Sequence, residues 1–140
     1  MLSRSLSVVT LAAVLYGCRR SPPAGDTSPS PTALEALRHK SRVALVFTPS
    51  PEDPRLEAQR ALWRGSEVGF SDRDLVVLEG RTTSELGATY GIRPTAFAMV
   101  LVGKDGHTAF RSDVPVAASD LFQRIDAMPM RREEMRVRGR

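Results

Sequence analysis

The chain of 140 residues contains a single cysteine, Cys18, and two histidines. One cysteine cannot form a disulfide bond within the chain, which excludes a disulfide-stabilised scaffold. The histidines, His39 and His107, have no cysteine partner, so we predict neither a metal site of the usual type nor a cofactor. No apolar run comes near the ~20 residues that a membrane-spanning helix needs. The composition that remains, with 41% apolar residues, is that of one globular domain.

Positive charge is in excess only at the two ends of the chain. The formal net charge is +4, but ten Lys and Arg face twelve Asp and Glu between Ser41 and Met130, which leaves −2 there. The folded part therefore needs no basic face, and we predict that the protein has no nucleic-acid partner. The terminal arginines either solubilise the ends or contact anionic lipid headgroups.

The amino terminus has the pattern of an export signal. One positive charge, at Arg4, precedes the apolar stretch Leu6–Tyr16. This stretch has about eleven residues, roughly half the length of a membrane span. We therefore predict a signal peptide of the lipoprotein type over residues 1–17.

The segment Leu15-Tyr16-Gly17-Cys18 resembles the lipobox of bacterial lipoproteins, although Tyr16 replaces the small or β-branched residue usual there. The resemblance implies that Cys18 is acylated and that it anchors the protein to a membrane of the cell envelope. The alternatives are ordinary cleavage between Gly17 and Gly25, which gives a soluble periplasmic or secreted protein, and an uncleaved anchor.

The chain after the signal divides into a linker, a domain and a tail. Residues 18–40 are rich in Pro and Ser as far as Thr32 and are predicted to be a linker. The folded domain is predicted over 41–130. Residues 131–140 are predicted to be a basic tail.

Apolar runs bounded by turn residues predict four strands and three helices within the domain. The predicted strands are 42–48, 74–79, 96–102 and 107–112. The predicted helices are 54–69, a short one that starts at the capping pair Thr82 and Glu85 and ends at Gly91, and one over 118–125 that Pro129 stops. The order β-α-β-α-β-β-α is the minimal thioredoxin topology, an α/β fold with a central mixed sheet flanked by helices.

Three segments, Ala44–Arg55, Leu101–Gly106 and Asp126–Arg136, resemble the P-DUDES domain family, which is bacterial domain-of-unknown-function family 4174. The closing segment is the most specific of the three, because no generic helix requires Met-Pro-Met-Arg-Arg at that place. The resemblance covers about Ser41 to Arg136 and implies a thioredoxin-like fold related to peroxiredoxins. It implies no particular reaction or substrate.

The candidate functional residues gather at the carboxyl end of the predicted sheet, where open α/β sheets bind ligands. They form a ligand-facing loop of five residues: Thr48, Ser50, Arg93, Pro94 and Thr95. Redox-active thioredoxin-like proteins carry their nucleophilic cysteine just after the first strand, at a helix start that lowers its pKa. Because this place contains no sulfur here, we predict no dithiol exchange or peroxide reduction by the chain alone.

Three further interpretations of this loop remain open. The segment Tyr90–Thr95 resembles the thioredoxin loop that carries a cis-proline, so the bond before Pro94 is either cis or trans. The helix start after Pro51 either binds an anion or is capped by its own acidic residues, Glu52 and Asp53. A hydrolase triad of three residues can also be written: Ser50, His107 and Asp113.

Three functions fit the sequence. The leading hypothesis is a binding or scaffolding module, anchored to the membrane through lipidated Cys18, which meets a protein of the envelope or a small ligand. The second is an enzyme, either a partner-dependent oxidoreductase or a hydrolase that uses the loop around Ser50 and Pro94. The third is a structural protein of the envelope.

Overall fold

The computed structural model describes residues 28–139 of the chain, which form six helices and four strands. The helices are α1 (Pro31–Leu37), α2 (Pro54–Trp63), α3 (Glu67–Asp72), α4 (Glu85–Thr89), α5 (Ala118–Asp126) and α6 (Pro129–Val137). The strands are β1 (Arg42–Thr48), β2 (Leu75–Arg81), β3 (Ala98–Val102) and β4 (Thr108–Ser112).

Strand β1 lies inside a single mixed sheet. The strand order is β2-β1-β3-β4, with β2 parallel to β1, β3 antiparallel to β1 and β4 antiparallel to β3. All seven residues of β1 are buried, as expected for an apolar run covered on both faces. The predicted fold class, a mixed α/β sheet of thioredoxin-like topology, is confirmed.

Each face of the sheet has its own apolar core, because successive side chains of a strand point to opposite faces. On one face, Ala44 and Val46 of β1 pack with residues of α2 and α5. On the other face, Val43, Leu45 and Phe47 pack with residues of α1 and α4. The helices that flank the sheet thus cover both sides of the central strand.

Helix α1 lies in the segment that the composition assigned to the linker. Ser30 caps it by accepting the backbone N–H of Ala33 at 3.1 Å, and Pro31 occupies its first turn. Leu34 and Leu37 pack against the core on the α4 side of the sheet. Residues 31–37 are therefore helical, which corrects the predicted linker there, while residues 18–27 lie outside the described part of the chain.

The predicted helix over 54–69 is two helices. Helix α2 ends at Trp63, and α3 starts at Glu67. Gly65 between them has a φ of +79°, a left-handed conformation that a continuous helix cannot contain. The break allows Trp63 and Phe70 to meet edge to face, with ring centroids 5.6 Å apart.

Helix α4 is capped by a different residue from the one predicted. Ser84 is its N-cap and accepts the backbone N–H of Gly87 at 3.1 Å. Thr82 is buried instead, and its hydroxyl donates to the carbonyl of Pro94 at 2.6 Å. The capping-box spacing therefore predicted the helix but assigned its cap two residues too early.

Pro129 begins a helix as well as following one. Helix α5 ends at Asp126 close to its predicted end, and Pro129 then occupies the first turn of α6, where its missing N–H is not needed. Helix α6 continues to Val137, and Arg131 within it is only 2% exposed. Residues 131–137 therefore belong to the folded domain, which corrects the predicted basic tail.

Ion pairs fasten α6 to the amino end of β1. Arg42, the first residue of β1, is 1% exposed and donates from Nη1 and Nη2 to the two carboxylate oxygens of Glu134, each at 3.2 Å. Lys104, which follows β3, donates to Glu134 at 2.7 Å and to Asp74 at 2.8 Å. Nη1 of Arg131 lies 3.7 Å from Oε2 of Glu134, so this carboxylate lies among three cations, two of them almost fully buried.

Arg131 forms a second group of ion pairs that ties α6 to α3 and α5. Its Nη2 donates to Oδ2 of Asp72 at 2.9 Å, and its Nε donates to Oδ1 of Asp126 at 3.2 Å. Arg73 donates to the other oxygen of Asp126 at 2.6 Å. The segment 126–136, on which the family resemblance is most specific, is therefore part of the packing of the domain.

We predict that Glu134→Gln lowers the free energy of unfolding by about 3 kcal/mol, because it leaves the buried guanidinium of Arg42 without its carboxylate. Urea unfolding at neutral pH measures this. Glu133→Gln is the matched control, since Glu133 pairs with Arg136 on the exposed side of α6, and its expected effect is no more than about 0.5 kcal/mol. Equal effects of the two substitutions would contradict the prediction.

Acid should remove the contribution of Glu134. Burial raises the pKa of this carboxyl, but hydrogen bonds from Lys104 and Arg42 outweigh burial and lower the pKa from 4.5 to about 2. A carboxyl whose pKa is lower in the folded state stabilises the fold above its unfolded pKa and loses this contribution as the pH falls through the folded one. The difference in unfolding free energy between the wild type and Glu134→Gln should therefore be constant above pH 4.5 and shrink towards pH 2. A difference that persists unchanged to the lowest pH would contradict this assignment.

Candidate functional site

Two hydrogen bonds to backbone carbonyls hold the chain at the carboxyl end of β1. The carbonyl of Thr48 accepts the backbone N–H of Thr82 at 3.1 Å, and Nη1 of Arg81 donates to the carbonyl of Pro49 at 3.0 Å. Thr48 is 3% exposed, so it lies beneath the predicted ligand-facing loop and does not line its surface.

Ser50 is engaged with its own loop. Its hydroxyl donates to Oε2 of Glu52 at 2.7 Å and accepts the backbone N–H of Glu52 at 3.1 Å. The hydrogen bond from Ser50 is the main cause that lowers the pKa of Glu52. A carboxylate whose pKa is lowered is a weak base, so Glu52 is poorly suited to activate Ser50 as the nucleophile of a hydrolase.

The proposed triad does not assemble, because His107 lies at the opposite end of the sheet. Val43 pairs with Val102, and the carbonyl of His107 accepts the N–H of the next residue, Gly103, at 2.9 Å. The amino end of β1 is thus beside His107, whereas Ser50 follows its carboxyl end. The seven residues of β1 make six steps of ~3.3 Å, which place roughly 20 Å between the two ends.

The start of α2 is occupied by its own N-cap carboxylate. Oδ1 of Asp53 accepts the backbone N–H of Arg55 at 2.9 Å, and the Arg55 guanidinium donates to both oxygens of Asp53, at 2.9 and 2.6 Å. The hydrogen bond from Arg55 is the main cause that lowers the pKa of Asp53. The geometry therefore favours capping over an anion site at this helix end.

Arg93, Pro94 and Thr95 form an exposed turn that two side chains hold in place. Thr82 donates its hydroxyl to the carbonyl of Pro94 at 2.6 Å, and Arg55 donates to the carbonyl of Thr95 at 3.3 Å. The turn also explains why β3 begins two residues later than predicted. The peptide bonds throughout residues 28–139 are trans, including the one before Pro94.

The structure thus brings together four of the five candidate residues at the surface and leaves Thr48 beneath them. The guanidinium of Arg93 makes no ion pair with another described residue. Sequence reasoning missed that Arg55 and Thr82 hold this turn and that Arg81 bonds to the loop after β1. No pattern indicated them, because each bonds to a backbone carbonyl on a distant segment of the chain.

Two other features, a metal centre and a membrane-spanning helix, are absent from the described residues. Within residues 28–139, no three His, Cys, Asp or Glu side chains form a group that could hold a metal ion. No helix in the same range is long and apolar enough to cross a membrane. The one cysteine of the chain, Cys18, lies outside the described residues.

Solved structures with a similar fold are thioredoxin-like proteins. A reduced 2-Cys peroxiredoxin of Plasmodium vivax matches with a TM-score of 0.59 and 14% identity, over 72% of this chain and 83% of that chain. A secreted Mycobacterium tuberculosis disulfide oxidoreductase homologous to E. coli DsbE matches with a TM-score of 0.43 and 18% identity, over 67% of this chain and 86% of that chain. At such identities the likeness to the peroxiredoxin shows the fold alone. No curated protein sequence matches significantly.

The sequence profile of one family matches most of the chain. It covers residues 33–134, which include most of α1, the whole sheet and α6 as far as Glu134. The chain belongs to the family described as domain of unknown function DUF4174, and its fold is thioredoxin-like.

Proposed function

We propose that this protein is an exported, lipid-anchored binding or scaffolding module of the cell envelope, built on a thioredoxin-like domain without redox cysteines. The observation that carries the proposal is the turn at Arg93–Thr95. It lies at the end of the sheet where such folds bind ligands, and hydrogen bonds from Thr82 and Arg55 hold it in position. A turn held in one conformation lowers the entropic cost of binding a partner.

The residues that stand where a redox enzyme carries its cysteine support the same proposal. Residues 49–53 connect β1 to α2 and carry Pro, Ser and acidic side chains. Glu52 and Asp53 both have pKa values below their usual range, so they are negatively charged at neutral pH. A negative charge here disfavours a thiolate as well as a bound anion.

The attachment to the membrane is proposed from Cys18. Acyl chains stabilise membrane binding by ~0.8 kcal/mol for each buried methylene, so more than one chain on Cys18 would hold the domain durably. The described domain begins with Ser28 and Pro29 beside the carboxyl end of β2, where Ser28 Oγ accepts the N–H of Arg81 at 3.0 Å. The tether would therefore leave the domain from the same end of the sheet as the Arg93–Thr95 turn.

The competing proposal is an enzyme that uses Ser50 and Pro94. The hydrogen bonds of Ser50 to Glu52 and the distance to His107 both count against a hydrolase. A partner-dependent oxidoreductase would need the partner to supply both thiols, because this domain has none between Ser28 and Gly139.

We predict that the full chain reduces neither insulin disulfides nor hydrogen peroxide above the rate without protein, since no thiol lies near the start of α2. Dithiothreitol-driven insulin precipitation and peroxide consumption measure this, with Cys18→Ser as the thiol-free control. Turnover that disappears in Cys18→Ser would sink the proposal in favour of a redox enzyme. Turnover that survives in Cys18→Ser would also contradict the prediction, because it could not come from the one thiol of the chain.

We predict that Cys18→Ser moves the protein from the membrane fraction to the soluble fraction when it is expressed in a bacterium, because acylation needs the sulfur. Fractionation followed by immunoblotting measures this. Ser21→Ala, three residues further on, is the matched control and should leave the protein on the membrane. Equal membrane retention of both variants would rule out anchoring through Cys18.

A further inference from the structure

Strand β2 forms one edge of the sheet, and one side of its backbone has few partners. The N–H of Arg42 donates to the carbonyl of Asp74 at 2.8 Å, and the N–H of Thr82 donates to the carbonyl of Thr48 at 3.1 Å. In a parallel ladder every second residue bonds to the neighbouring strand, so the even-numbered residues of β2 bond to β1. The backbone groups that point away from β1 are those of Leu75, Val77, Glu79 and Arg81.

Ser28 already occupies the last of these positions. Its Oγ accepts the N–H of Arg81 at 3.0 Å. The outward N–H and carbonyl groups of Leu75, Val77 and Glu79 have no hydrogen-bond partner among residues 28–139. Three consecutive outward-facing residues offer a row of donors and acceptors to an added strand.

A groove of about 790 Å³ runs along this free edge. Its apolar wall is formed by Trp63, Phe70, Leu75 and Val77. Helix α2 forms the other side, and Nε of Arg60 on that helix donates to Glu79 at 2.9 Å. An extended chain lying against β2 would place alternate side chains in this groove.

The other edge of the sheet lacks these features. Strand β4 has five residues, and its pairing with β3 is irregular at Leu101 and Val102. Arg111 of β4 reaches across to the carbonyl of Tyr90 at 2.7 Å. A short strand with a bulge and a charged side chain is protected against pairing, whereas the apolar part of β2 is not.

The charges around the groove indicate what the added strand carries. Three of its four rim carboxylates are paired with cations of the domain: Glu57 with Arg64, Glu79 with Arg60, and Asp74 with Lys104. The fourth, Glu67, accepts the N–H of Gly65 at 3.3 Å and forms no ion pair with another described residue. A basic side chain on the partner would complement Glu67.

We propose that the groove beside β2 binds an extended segment of a partner protein, which adds a strand to the sheet, places apolar side chains against Trp63 and Val77, and pairs a basic side chain with Glu67. This surface deepens the proposed binding function and rests on it.

The test uses the full chain and the synthetic peptide acetyl-Lys-Val-Thr-Val-Thr-Val-amide as a probe of strand addition. Trp63 is the only tryptophan of the chain, so its fluorescence reports on the groove directly. We expect a saturable change in its emission and downfield shifts of the Leu75, Val77 and Glu79 amide protons, with the amides of β4 unchanged. The same peptide methylated on its backbone nitrogens should not bind, because it lacks the donors that the edge carbonyls need.

A charge reversal tests the basic contact. Glu67→Lys should weaken binding of the lysine peptide by about fivefold. Glu85→Lys, which reverses an exposed acid in the first turn of α4 on the other face of the sheet, is the matched control and should change nothing.

Three results would overturn the proposal. They are no saturable change in Trp63 emission up to about 1 mM peptide, equal binding of the methylated peptide, or protection of the Leu75, Val77 and Glu79 amides against hydrogen exchange before any peptide is added. Protection that depends on protein concentration would assign the edge to a second copy, and protection at all concentrations would assign it to another segment of the chain. These results concern strand addition alone and say nothing about redox turnover. Redox turnover, in turn, would contradict the proposed function but not the binding of the peptide, so the failures of the two proposals are distinguishable.

Discussion

The complete burial of β1 determines what the rest of the domain must supply. A strand covered on both faces needs helices on both sides, which α2 and α5 provide on one face and α1 and α4 on the other. The strand also begins with a charged residue, Arg42, and ends with a hydroxyl residue, Thr48, and both are buried. Buried polar groups must be paired, because an unpaired one costs up to several kcal/mol. The polar groups at the two ends of β1 are therefore paired in different ways. Arg42 at the amino end forms ion pairs, and Thr48 at the carboxyl end forms a neutral backbone hydrogen bond with Thr82.

The position of α6 follows from the charged residue at the amino end of β1. A guanidinium that is 1% exposed is tolerated only beside a carboxylate, and Glu134 of α6 supplies it. Arg131 on the same helix, itself buried, needs Asp72 and Asp126 in turn. The segment with the most specific family resemblance thus supplies the carboxylate that neutralises Arg42 at the amino end of β1. Its sequence is constrained by charge pairing in the interior, and a role in binding is not needed to account for it.

This difference between the two ends explains which elements could be predicted from the sequence. The strands β1 and β2 and the helix α5 follow from local apolar runs and periodicity. Helix α6 could not be recognised, because the bond that anchors it joins Arg42 to Glu134 across 92 residues and because a proline begins helices as well as ending them. The topology placed Arg93–Thr95 at the correct end of the sheet. It could not indicate that Thr82 holds this turn, since a side-chain bond to a distant carbonyl leaves no local pattern.

The carboxyl end of β1 is poorly suited to proton transfer, in keeping with the proposed binding role. General acid or base catalysis at neutral pH needs a group whose pKa lies near 7, and the carboxyls of Glu52 and Asp53 are shifted the other way. Because β2 is parallel to β1, its free edge ends beside this same end of the sheet, where Arg81 donates to the carbonyl of Pro49. The next residue, Thr82, holds the exposed turn at Pro94. A partner segment that lies along β2 would therefore finish close to that turn, so the groove and the turn can serve one extended ligand.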